Sequence, residues 1–309
     1  MNAATQLNVN FTEPEAMNNP DINDPLFRQA VKAIDAGNIS SLQKIVTANP
    51  KLVSKRLESP TEGYFKHPYL LWFVADNPIR NEKLPANIIE ITKILIDAVR
   101  NNNDANTFKE QIDYTLGLVA TGRIPRESGM QNEWIDLLID NGATPGNGIG
   151  ALAHGNIAAA KHLIKRGGNL ALATAIGLDM QDDIDRLAKK ASKTDLEVAL
   201  MMAAFYGKPE MIKFLIGLGV DVNVYIDRSC GFHSHATALH QAVFSGSLES
   251  VKILVNAGAD LNAKDRNYEG TPLGWAIYMQ TEEPDEVKKK KYKEIENYLH
   301  DTLSHEHLS

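Results

Sequence analysis

The sequence predicts an all-α protein, a solenoid of about seven to eight antiparallel helix pairs stacked in series and joined by short hairpin loops. Two observations carry this. Apolar residues recur at helical spacing in short paired segments, each pair broken by a tight turn such as Gly37-Asn38, Gly155-Asn156 or Ser245-Gly246. Similar second segments also return along the chain: IDLLIDNGATP at 135–145, MIKFLIGLGVDVN at 211–223 and VKILVNAGADLN at 251–262. A solenoid grows by adding units, so the 309 residues need not divide into the two domains that length alone suggests.

The clearest unit lies at 237–277. Thr237-Ala238-Leu239-His240 opens it, and Gly270-Thr271-Pro272-Leu273 opens its successor. Leu239, Ala242 and Val243 give the first helix an apolar stripe. Val251, Ile253, Leu254 and Val255 make the second apolar over much of its surface, as suits a helix between layers. Gly258 follows as a C-terminal cap, where a left-handed backbone suits glycine. Here the chain resembles an ankyrin repeat, with its T-P-L-H-x-A opening and period of about 33 residues. The resemblance implies a non-enzymatic scaffold that holds another protein against a rigid concave surface and hairpin tips. It also implies that Thr237 and His240 bond each other and nearby backbone, a structural role.

The elements follow in order. Residues 1–22, rich in Asn, are expected to be a flexible tail ahead of a single repeat domain over 23–309. Divergent units fill 23–110, central units 111–193 and well-matched units 194–280. In the first pair Leu26, Phe27, Ala30, Val31 and Ile34 form one stripe and Leu42, Ile45 and Val46 the other, ended by Asn49-Pro50. A polar loop containing Pro60 and Gly63 is expected over 54–66. His67-Pro68-Tyr69-Leu70 then stands in the place of the opening motif, with an apolar helix over 70–74 and another over 88–99. NNNDANT at 101–107 reads as a linker. Further pairs are expected at 112–121 with 133–140, 149–154 with 157–165, and 170–176 with 182–191. Thr194-Asp195-Leu196-Glu197 reads as a capping box for a helix over 198–205. The interval from Asn223 to Asn262 exceeds the family period, so an extended hairpin is expected over 225–235. The last unit breaks at Glu282-Glu283-Pro284, and a charged capping helix follows over 285–303.

Composition narrows function. A net charge of −7 disfavours nucleic acid and anionic membranes as partners. A single cysteine excludes an internal disulfide framework and fits a reducing compartment. The N-terminus lacks the basic and apolar regions of a signal peptide, and no apolar run approaches the ~20 residues of a membrane span. A monomer in the cytoplasm, with no cofactor, is expected.

Three candidate sites stand out. The residues ahead of successive inter-helix turns, Phe205, Tyr206, Phe244, Tyr278 and Met279, offer aromatic groups in register on the expected concave face. Hairpin residues Tyr225, Asp227, Arg266, Asn267 and Tyr268 would complete a partner-binding surface. Burial of the aromatic positions under long hairpins or the last helix is the competing reading. Cys230, His233, His235 and His240 form the one Cys/His cluster, of which Cys230, His233 and His235 are a candidate metal site for a metal-dependent regulator or enzyme, or else a polar hairpin tip. The basic run 288–291 has acidic neighbours and reads as a solvated helix face. Gly146, Gly148 and Gly150 lack the strand and Lys-Ser/Thr of a phosphate loop.

Overall fold

The computed structural model describes residues 22–58 and 64–306, which are helical without strands. The expected tail therefore lies outside the described residues except for Ile22, which is buried, and the Pro60 to Gly63 part of the first loop lies outside them too. Two compact units divide the chain, Met1–Asn169 and Leu170–Ser309.

In the first unit, α1 (Pro25–Asp35) and α2 (Ile39–Ala48) form an antiparallel pair. Asp24 caps α1 by accepting from the Leu26 and Phe27 amides. The expected apolar helix at 70–74 is instead a 3-10 helix, Leu70–Ala75, with all six residues buried. It ends where Asp76 turns left-handed at φ 45° and its carboxylate captures the Arg80 and Asn81 amides, so the chain leaves the helical path. The buried Arg80 fixes this corner by donating to Asp35 at 2.8 Å and to the Phe73 carbonyl at 2.7 Å.

The expected linker at 101–107 is mostly helix. α3 (Ile88–Asn102) and α4 (Ala105–Thr121) leave only Asn103 and Asp104 between them. The asparagines act as caps: Asn102 and Asn103 donate to the Ala98 and Val99 carbonyls, and Asp104 accepts from the Asn106 and Thr107 amides. A short α5 (Arg123–Glu127), absent from the sequence reading, precedes α6 (Gln131–Asp140), α7 (Ile149–Ala153) and α8 (Ile157–Lys165). Buried amide side chains stitch these layers together: Gln111 donates to Val53 O, Gln131 to Val119 O and Asn156 to Ala120 O.

The second unit repeats one motif more regularly. It contains α9 (Leu172–Gly177) with α10 (Gln181–Ala188), α11 (Lys193–Phe205) with α12 (Pro209–Gly217), α13 (Ala238–Phe244) with α14 (Leu248–Asn256), and α15 (Pro272–Glu282). The capping box of α11 sits two residues earlier than expected. Ser192 is the cap and exchanges bonds with Asp195, because the shorter Asp at the third helical position reaches back to the Ser192 amide at 2.9 Å. Residues 198–205 are buried without a break, since α9, α12 and α13 all pack against α11. α13 packs next on α15, and α16 (Glu286–Glu306) closes the series.

α16 turns Tyr292, Ile295 and Leu299 inward and leaves charge outside. The buried Tyr292 hydroxyl donates to the Phe244 carbonyl at 3.0 Å, tying the cap to the end of α13, and burial pushes that phenol up to about 12. Tyr292→Phe removes this hydrogen bond between α16 and α13, so it should destabilise the second unit by about 1 kcal/mol. Leu299→Ala, which opens a cavity, should cost about 3 kcal/mol. Urea unfolding of the two variants checks the order.

Candidate functional site

The loop from α14 to α15 is organised by one carboxylate. Asp265 is 1% exposed and accepts four hydrogen bonds. Its Oδ1 accepts from the Asn267 and Tyr268 amides at 3.0 and 2.7 Å, and its Oδ2 from the Gly270 amide and Trp275 Nε1 at 2.9 and 3.0 Å. Burial pushes the Asp265 carboxyl up, but the bonds from Trp275, Tyr268, Asn267 and Gly270 outweigh it and hold the group below the usual carboxylate range. Residue 270 must be glycine, because a Cβ there would meet Asp265 Oδ2 at 2.9 Å and the Trp275 ring at 3.1 Å. The sequence reading missed Asp265. The available signal was an Asp followed by Asn, Tyr and Gly at turn spacing.

A second lock joins this loop to the start of α13. Thr237 and His240 form a capping box, with His240 Nδ1 at 2.8 Å from the Thr237 hydroxyl and 3.3 Å from its amide. His240 Nε2 lies 3.0 Å from the Gly270 carbonyl. A carbonyl only accepts, so Nε2 carries the ring proton, and Nδ1 accepts from the Thr237 amide, which makes the ring the neutral tautomer. Burial pushes the His240 and His235 rings below their ordinary range.

The neighbouring hairpin is zipped to the same loop. Asn223 donates to Gly258 O and accepts from the Asp260 amide at 2.7 Å. The Tyr225 hydroxyl donates to Lys264 O at 2.7 Å, and the Arg266 amide donates to His235 O at 2.7 Å. The Arg266 guanidinium lies over the Tyr225 ring, 4.6 Å from its centre. The two loops thus form a ridge with Asp227, Arg266 and Asn267 exposed, Tyr225 half-buried and Tyr268 63% exposed.

The aromatic positions before the turns behave differently from the expectation that they stand exposed. Phe205 is 4% and Phe244 1% exposed, and their rings stack at 5.1 Å. Phe232 and His233 of the long hairpin cover Phe205, and Tyr292 of α16 binds the end of α13. Met279 is buried and Tyr206 half-buried, its phenol pushed upward by burial. Tyr278 alone of this set stands open, at 49%. Phe232, the residue responsible for much of the cover, had no local signal beyond the extra hairpin length.

Among the described residues no group of three His, Cys, Asp or Glu side chains is placed to hold a metal ion, so Cys230, His233 and His235 do not gather as a ligand set. His233 instead stacks on Phe205 at 4.9 Å, and burial pushes the Cys230 thiol up, away from the thiolate that metals prefer. No described helix is long and apolar enough to cross a membrane.

A family description, "Ankyrin repeats (3 copies)", matches residues 127–265 and 200–284, together just over half the chain. The chain belongs to the ankyrin-repeat family. No curated protein matches it. Ankyrin repeats are in general protein–protein interaction modules, and the family is typically non-enzymatic. The Thr237–His240 pair and the Asp265 turn together fix the start of α13 and the loop from α14 to α15.

Asp265→Ala would strand several donors at once and should destabilise the second unit by about 3 kcal/mol in urea. The pH response has a definite sign. Below about 6.5 the unfolded His240 takes up a proton that the folded ring resists, so the unfolded state binds more protons and stability falls with acidification. His240→Gln should show a shallower loss of stability than the parent between about pH 7.5 and 5.5, read from denaturation midpoints.

Proposed function

We propose that this ankyrin-repeat chain is a non-enzymatic scaffold that binds a protein partner through the hairpin ridge of its second unit. The observation that supports this most is Tyr268, 63% exposed on a backbone that Asp265 holds in place. A side chain displayed on a pre-ordered turn binds without a further ordering cost, and Tyr and Arg are the residue types that most often dominate binding energy. Tyr268, Arg266 and Asn267 form the centre of the contact, flanked by Tyr225 and Asp227. Tyr278 adds an open ring on α15. Phe205, Phe244 and Met279, being buried, take no part in this surface, and Tyr206 contributes little. The net charge of −7 favours a protein over a nucleic acid. The chain acts as a monomer in the cytoplasm.

A pull-down from native cell lysate tests the ridge, using the intact chain beside a Tyr268→Ser, Arg266→Ala variant shown by circular dichroism to be folded. A protein held by the intact chain should fall at least about tenfold on the variant, the loss of one hot-spot pair. Equal retention would remove the ridge from the interface.

A further inference from the structure

The first helices of successive pairs in the second unit form an inner row, in which α11 packs on α13 and α13 on α15. α13 has an inner neighbour on either side, and its Val243 and Phe244 are 0% and 1% exposed. Ile277 and Tyr278 hold the same places in α15, six and seven positions after the opening threonine of their pair, yet each is 49% exposed. α16 closes the outer row by packing on α14 and α15, and leaves this side of the inner row open.

The open side is a stripe at helical spacing. Gly274, Ile277, Tyr278, Thr281 and Glu282 are exposed, opposite the buried Pro272, Ala276 and Met279. Gly274 stands where α13 has His240, whose ring bonds the Gly270 carbonyl of the pair that follows. A Cβ at Gly274 would meet only Thr271 Oγ1, at 3.4 Å, so a neighbour can come close to the α15 backbone there. Glycine inside a helix weakens it, and close packing of a second helix would offset that loss. The far end of the stripe is acidic. Glu283 pairs with Lys288 and Glu286 with Lys289, while Glu282 has no cation partner among the described residues. Glu282 also ends α15, where the helix dipole disfavours negative charge.

We infer that the open side of α15 docks an amphipathic helix of the protein partner, which extends the inner row by one helix. The surface continues, in register, the interface that α13 makes with α15, so a helix is the occupant that fits it. Its chemistry follows from the stripe: small apolar residues against Ile277 and Tyr278, a larger apolar residue over Gly274, and Lys or Arg at the Glu282 end. α15 shows the matching pattern on its own buried side, with Pro272, Ala276 and Met279 at i, i+4 and i+7. This rests on the reading of the chain as a protein-binding scaffold and adds a second surface to the ridge.

That pattern supplies the probe. A fluorescein-labelled peptide of residues 270–283 is stapled through positions 277 and 281 to hold it helical, carries Glu282→Lys and Glu283→Lys, and is titrated against the full chain by fluorescence anisotropy. Saturable binding is expected, with a Kd below about 1 mM. Ile277→Ser with Tyr278→Ser in the protein should weaken it at least about tenfold. Both side chains are exposed, so the folded core is unchanged, which circular dichroism checks. Glu282→Lys in the protein needs no apolar change. It should reverse the charge preference by about threefold, toward the peptide that keeps both glutamates. Absence of saturable binding, indifference to the double substitution or failure of the reversal would each overturn the proposal. A dimer of the intact chain in sedimentation, abolished by Ile277→Ser, would give the face to a second copy instead. Tighter binding after removal of residues 1–21 would give it to the chain's own N-terminus, and either result overturns the partner helix. Arg266 and Tyr268 are untouched throughout, so failure here leaves the ridge to its own test.

Discussion

A pair of short helices cannot bury itself. The inner helices α11 and α13 are apolar on more than one side, and only neighbouring helices can cover both. α11 shows the consequence most plainly. Its run from Val198 to Phe205 is buried throughout, because other helices of the second unit surround it. Stacking of this kind must be terminated, or the last stripe faces water. α16 does this with Tyr292, Ile295 and Leu299 on one side and lysines and glutamates on the other.

The same logic sets the hairpins. A buried carboxylate is tolerated only when its hydrogen-bonding capacity is filled, and Asp265 meets that condition with three backbone amides and one indole. Each donor comes from a different residue of the turn or of α15, so the loop keeps its shape as a whole. The neutral His240 bonds the Gly270 carbonyl of that loop and carries its shape to α13. Tyr268 and Arg266 are thus held outward by residues that are themselves hidden, which links the interior of the unit to the surface it displays.

Much of the fold was legible because its periodicity is local. The stripes of α1, α2, α13 and α14, the turns at Gly37 and Gly246 and the break at Pro284 follow from spacing alone. Departures arose where one residue does an unexpected job. Asn102 and Asn103 satisfy carbonyls at a helix end instead of forming a linker, and Ser192 takes the capping role that Thr194 seemed to offer. The site was less legible. The positions of Phe205 and Phe244 before their turns could be read from sequence, but their exposure could not. That depends on Phe232 and His233 of the hairpin packing on Phe205, and on Phe205 and α16 packing at Phe244.

The excess hairpin length therefore has two physical effects in one segment. Its feet continue the ridge, since Tyr225 and His235 bond the Asp265 loop. Its middle covers Phe205, which itself stacks on Phe244. Uncovered, that pair would add an aromatic patch beside the turns and favour unspecific association. Covering it with a segment of the same chain suppresses such association at little entropic cost, because the feet are already fixed. The order of energies then separates the two surfaces. The ridge is held by bonds to a buried charge, whereas the middle of the hairpin packs its rings on Phe205, contacts of about 1 kcal/mol each.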